Sequence, residues 1–289
     1  MSHEHAGAHS DQEDYTFNAS ALGLGGVLHH GRRKTVIPSL ASVALPPTGG
    51  EGSALVENYD RNGISFTRAE SRVAGYPIRD TYFTTYSDIL VTNLSVFDRF
   101  TVAVMHLTVA SSRDTRHDET QFSLHAMYRG VAIDGDEVVP DLDIDLCVNS
   151  DYDRLAGELA GEVEPDLAAV DEKKKRLLAG IGRREPIRSS LIRSLQIRPR
   201  DGNYDVEQRK GNVLRVPGFA MIHFGELLVK PGRRRVNLLR FEFSGRMEAD
   251  HLEAVPAARL EALESHADGG GTLTVGSGDG NGAPVWPKS

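Results

Sequence analysis

A chain of 289 residues with a formal net charge of −8 and one cysteine, Cys147, is long enough to bury its own core. A single thiol excludes an internal disulfide framework and a cysteine-based metal site. The acidic balance argues against nucleic acid as a partner, because that binding is driven by phosphate neutralisation. No apolar run approaches the roughly 18 residues of a membrane span, and the polar start MSHEHAGAHSDQED lacks the apolar stretch of a signal peptide. The chain therefore reads as soluble and cytoplasmic.

Residues 1–14 read as a disordered tail, in which His3, His5 and His9 are read as passengers rather than chelators. From Tyr15 to Val148, short β-branched, aromatic and alternating runs recur between Gly, Pro, Asn and Asp clusters, as in a sandwich or barrel. Strands are predicted over 15–21, 34–44, 54–59, 64–73, 81–92, 100–110, 121–128 and 141–148. The PPTGGEGS loop, the Asp60-Arg61-Asn62-Gly63 turn and a charged loop at 113–119 separate some of them.

Two strands have a readable face. In TVAVMHLTVA the apolar Ala103, Met105, Leu107 and Val109 share one side, with His106 and Thr108 on the other. In DLDIDLCV the alternation is complete: Leu142, Ile144, Leu146 and Val148 oppose Asp141, Asp143 and Asp145. A sheet with one wet face is implied.

Near residue 150 the composition shifts to Ala, Leu, Glu and Lys, and a helical insert is expected over about 150–198. One helix opens at Pro165 and stops at Gly180, acidic at its start and basic at its end. A second is predicted from Pro186, with Ile187, Leu191 and Leu195 as its apolar stripe. Strands resume in NVLRVPGFAMIHFGELLVKPGRRRVNLLRFEFS, where runs flanking Lys230-Pro231-Gly232-Arg233 predict a C-terminal β-hairpin. A short helix is read through PAARLEALES, and the Gly-rich residues 264–289 read as a flexible tail. The organisation is a single β-rich domain, 15–263, carrying the insert and followed by that tail.

Asp141, Asp143 and Asp145 are candidate ligands for a hard cation such as calcium. Alternating carboxylates on a strand stand roughly 6.6 Å apart, so a solvated face is the preferred reading. His106, His125 and His223 each fall in a predicted strand and are the histidines that could converge on zinc or act as acid and base. Separate histidines on wet faces are preferred there too. There is no Gly-x-Ser-x-Gly elbow, Cys–His pair, complete dinucleotide fingerprint or Gly-Lys-Ser/Thr loop. Gly23-Leu24-Gly25-Gly26 reads as a strained turn or a close packing point, Cys147 as an inert thiol, and no cofactor is expected.

The charge division is the most unusual feature. Between Asp134 and Glu172 stand 14 acidic side chains and one basic, Arg154; between Lys173 and Arg200 stand 10 basic and one acidic, Glu185. Lys173, Lys174, Lys175, Arg176, Arg183 and Arg184 are the candidate interface residues, pairing with an acidic patch on a neighbouring copy. Neutralisation within one molecule, or plain solvation, accounts for the same pattern.

The hairpin VPGFAMIHFGELLVKPGRRRVNLLRFEFS, with REPIRSSLIRSL and DILVTNLSVFDRFTVAVMHLTVAS, resembles bacterial β-rich proteins called choice-of-anchor P. The likeness covers about half the chain, through phrases such as FGELLV and RRVNLLR. It implies a β-rich, non-catalytic fold and association with the bacterial surface, although this chain shows neither the leader nor the anchor of such proteins.

The expected fold is thus a mostly antiparallel β-sandwich or barrel with a helical insert and a C-terminal hairpin. The expected function is a non-enzymatic structural or self-assembling protein whose copies pair through strand edges and charged patches, with another protein as a second kind of partner. The alternatives are a hydrolase or metal-binding enzyme using strand-borne Asp and His, and a ligand-binding module.

Overall fold

A computed structural model describes residues 15–30, 33–117, 119–148, 186–200, 207–209, 211–230, 232–243 and 271–284. The first half is a run of long strands: β1 (Tyr15–His30), β2 (Arg33–Ala44), β3 (Gly50–Arg61), β4 (Ile64–Arg79), β5 (Tyr82–Val96), β6 (Phe100–Asp114), β7 (Glu119–Ile133) and β8 (Asp136–Leu142). A short helix, α1 (Ile144–Val148), follows β8. Then come β9 (Ile187–Ser190), β10 (Ile192–Arg198), β11 (Glu207–Arg209), β12 (Val213–Val216), β13 (Ala220–Lys230), β14 (Arg233–Phe243) and β15 (Gly271–Pro284).

Two antiparallel sheets result. The eight-stranded sheet has the order β11-β12-β13-β14-β15-β1-β2, with β9 also on β13; the seven-stranded sheet has the order β10-β8-β7-β6-β5-β4-β3. They stack face to face as a sandwich, β1 and β15 lying over β4, β5 and β6. Two-residue turns set the hairpin registers: Asn62 and Gly63 have φ of 56° and 71°, and Asp134 and Gly135 have 50° and 96°, the left-handed pair that matches strand twist.

The core between the sheets holds large apolar side chains such as Phe100, Phe224, Phe241 and Met105, and small ones where backbones approach. Gly278 of β15 faces Ile89, whose Cδ1 would lie 2.7 Å from an added Cβ, and Gly280 faces Thr85 at 3.2 Å. Buried Ser87 crosses this narrow gap, its hydroxyl donating to the Asp279 carbonyl at 2.5 Å. That bond satisfies a buried hydroxyl that would otherwise be costly.

Both sheets carry a transverse crease. In the pairing registers Asn58, Thr67, Asn93, Ala103 and Gly130 fall in one line across β3 to β7, and the regular ladder is interrupted there. Gly225, Leu238, Gly276, Gly23 and Ala41 form the corresponding line across β13, β14, β15, β1 and β2. Alternate strands in each line are left-handed: Asn58, Asn93 and Gly130 in one sheet, Gly225, Gly276 and Ala41 in the other. Along each strand the inward face shifts by one residue at the crease, as at a β-bulge. In β6, Phe100 and Val102 point inward before it, and Met105, Leu107 and Val109 after it. Carbonyls near the lines find other donors: Leu238 accepts from the Tyr128 hydroxyl at 2.8 Å, and Thr92 from the Thr67 hydroxyl at 3.2 Å.

The antiparallel sandwich and the β13–β14 hairpin accord with the sequence reading. Four readings need correction. The helix predicted from Pro186 is instead the strand pair β9 and β10. Its stripe of Ile187, Leu191 and Leu195 is buried, but a spacing of four suits a strand's period of 2 as well as a helix's 3.6. The tail predicted to be flexible at 264–289 contains β15, which sits between β14 and β1. The predicted strand 141–148 ends at Leu142; Asp143 then caps α1, accepting the Leu146 N–H at 3.1 Å. Ala103 is exposed rather than inward. The tail at 1–14, the helix at 165–180, PAARLEALES and the six interface cations at 173–184 lie outside the described residues.

Candidate functional site

The outer face of the seven-stranded sheet brings together polar residues from β4 to β7. Arg72, Asp88, Thr108 and His125 are successive lateral neighbours, and Glu70, Leu90, His106 and Met127 form the next row. Asp88 is the hub. One of its oxygens accepts from the Thr108 hydroxyl at 2.9 Å and lies 2.7 Å from His106 Nε2. Tyr86 joins it: burial first, then the charge and hydrogen bond of Asp88, push the phenol up to about 12. The His106 and His125 rings stand 6.0 Å apart, edge to face. Glu70 is held below the usual carboxylate range by hydrogen bonds from Arg68 and Arg72.

Of the three candidate histidines, the fold thus brings two near each other and sends the third away. His223 lies in β13 of the other sheet, 3.7 Å from Glu226 and 3.6 Å from Glu242. There Arg240 grips Glu226 through two bonds of 2.7 Å and also bonds Glu242. Burial pushes both carboxyls up, but Arg240 outweighs it and holds them low. The three aspartates disperse as well. Asp141 lies on β8 beside Ser194 at 3.5 Å, Asp143 caps α1 and lies 3.5 Å from Arg193, and Asp145 sits in the first turn of α1. Among the described residues no three His, Cys, Asp or Glu side chains gather as metal ligands.

The chemistry open to the Asp88 network is limited by its geometry. An Asp–His pair can orient an imidazole as a base, but the nearby Thr108 hydroxyl is committed to the same carboxylate oxygen as His106. Sequence reasoning missed Asp88 because YSDILV offers no motif; its signal is one charged residue at an outward position of a strongly apolar strand.

The sheet edges form the second candidate site. On one flank the strands are short, four residues in β9, seven in β10 and three in β11. Short edges resist pairing with other chains. On the opposite flank β2 and β3 are 12 residues each. β2 is interrupted by Pro38, a register shift and left-handed Ala41 at φ 47°. β3 is kinked too, at left-handed Asn58 (φ 54°), but it contains no proline and keeps an unbroken register with β4 from Gly50 to Glu57. Leu55, on its outer face, is 51% exposed.

Residues 15–230 match a family described as a domain of unknown function, DUF8256. The chain belongs to that family. The DUF8256 match runs from the first residue of β1 to the last of β13. β14 and β15 follow it in sequence, yet they stand between β13 and β1 in the sheet. No curated protein and no solved structure matches the chain. No helix among the described residues is long and apolar enough to cross a membrane.

Proposed function

We propose that this DUF8256 protein is a structural, self-assembling protein whose copies associate through strand edges, with complementary charged patches adding to the contact. The observation that carries the reading is the contrast between edges. The flank of short strands is guarded by length and β2 by proline and a register shift, whereas β3, although kinked at Asn58, offers a proline-free run in unbroken register from Gly50 to Glu57. Such an edge pairs readily with another strand, because backbone groups left open are met by those of the incoming chain. The acidic and basic runs that meet at Glu172 and Lys173 enter from sequence alone, as does the likeness to surface-associated choice-of-anchor P proteins.

Light scattering of the purified full chain tests this. The mass should exceed that of one chain and rise with concentration; a monomeric mass at every concentration and salt level would overturn the proposal.

A further inference from the structure

The composition of β3 restricts how a second copy can add, an inference that rests on the self-assembly reading above. We propose that two copies pair β3 against β3 about a two-fold axis at Leu55, joining their seven-stranded sheets edge to edge.

Backbone direction comes first. Arg61 and Ile64 flank the two-residue Asn62-Gly63 turn and so exchange both backbone bonds. Tyr59 shares their inward side, stacking on buried Phe66 at 5.2 Å. On a strand of L-residues, the face a side chain takes fixes the lateral direction of its N–H and C=O. Beyond the crease at Asn58 the inward residues are Val56, Ala54 and Gly52, the last directed at Val43 and Val73. These bond β4. The outward-facing Glu51, Ser53, Leu55 and Glu57 therefore direct their backbone groups to the edge that no described strand occupies.

Antiparallel pairing must match these odd-numbered residues with one another, which leaves few registers. With Leu55 opposite Leu55, each Ser53 lies opposite Glu57 of the second copy, and the exposed leucines cover each other. Sliding one way sets Glu51 opposite Glu57, a like-charge pair that destabilises a sheet. Sliding the other way sets Glu57 against Leu55. In the leucine register, each Glu57 keeps its own Arg68, 3.9 Å away. It also faces Arg72 of the second copy across the small Ser53, since Arg72 is the lateral neighbour of Ser53. Arg72 is exposed enough to reach outward while bonding Glu70.

Cysteine cross-linking of the full chain tests the register, with Cys147→Ser removing the native thiol. Oxidation of Leu55→Cys should yield a covalent dimer, because directly opposed Cα atoms about 5.5 Å apart fall within disulfide reach. Glu51→Cys should not link to itself, since in this register its two copies are offset by roughly 27 Å along the strands. If scattering shows association but Leu55→Cys fails to link, or Glu51→Cys links instead, the register is wrong while self-assembly stands. If the protein is monomeric, both fall.

Discussion

The backbone N–H of Leu191 donates to the carbonyl of Gly225 at 2.8 Å, and the Leu191 carbonyl accepts the Asp143 N–H at 2.8 Å. Leu191 is the single residue between β9 and β10, so these bonds mark where the chain passes from one sheet to the other. Gly225 is itself a member of the crease, and its left-handed backbone brings its α-carbon close to Leu191, whose Cβ would lie 3.2 Å from an added Cβ. One fully buried side chain thus closes the flank of the sandwich that does not offer a long edge.

Leu191→Ala should cost about 2–5 kcal/mol, the range for emptying a buried leucine site. Equilibrium denaturation would show a lower midpoint with an unchanged slope. A midpoint within error of the wild type would mean that the crossover does not bear on stability.

The crease makes a paired prediction. Gly276 and Gly218 share a φ of 62°, but an added Cβ at Gly276 would come within 2.7 Å of the Leu238 side chain, whereas nothing lies within 4 Å at Gly218. Gly218→Ala should cost only the left-handed penalty of about 1–2 kcal/mol. Gly276→Ala should cost about 1–3 kcal/mol more from overpacking. Equal losses by denaturant titration would show that the close approach across the crease is relieved at no cost.

These glycines also show how far the fold could be read in advance. The strands of the first half were legible because β-branched runs and turn residues alternate there, and the Asp60-Arg61-Asn62-Gly63 turn marked the boundary between two of them. The crease was not, because a period-2 reading assumes one phase along a strand: it grouped Ala103 with Met105, whereas the inward partner before the shift is Val102. Residues 271–284 defeated a reading by composition, since glycine signals both flexibility and a close approach of backbones; here Gly278 and Gly280 make room for the facing sheet. For the site, His106 and His125 were placed on the correct strands, but which sheet each strand joins is set by long-range pairing. Nothing local to HFGELLV says that His223 belongs to the other one.

The Arg240–Glu226 pair gives a pH prediction. Glu226 titrates below its ordinary value of 4.5 in the folded protein, because Arg240 outweighs the effect of burial. A lowered carboxyl pKa contributes stability that is present above the unfolded value and lost as pH falls through the folded one. Arg240→Met should therefore reduce stability by about 2 kcal/mol at neutral pH, and the gap from the wild type should narrow on acidification below pH 4.5. A gap that stays constant into strong acid would contradict the pairing.

Asp88 makes a spectroscopic prediction. The phenols of Tyr86 and Tyr15 are both pushed up to about 12, the first by burial and Asp88, the second by burial against an opposing Arg113. Asp88→Asn should lower the Tyr86 value and leave that of Tyr15 in place, read from tyrosinate absorbance with Tyr86→Phe as the assignment control. For a phenol raised in the fold, the stability it adds is full below its unfolded value near 10.0 and lost as pH rises through 12. An unchanged Tyr86 titration in Asp88→Asn would remove Asp88 from the centre of the outer-face network.

The central claim is that β3 is the assembling edge, and amide hydrogen exchange measured at low and high protein concentration tests it most directly. The outward amides of Ser53, Leu55 and Glu57 should become protected as concentration rises, while those of β2 around Pro38 stay as they were. Concentration-independent exchange along β3, in a protein whose mass does grow, would contradict the account and move the contact elsewhere.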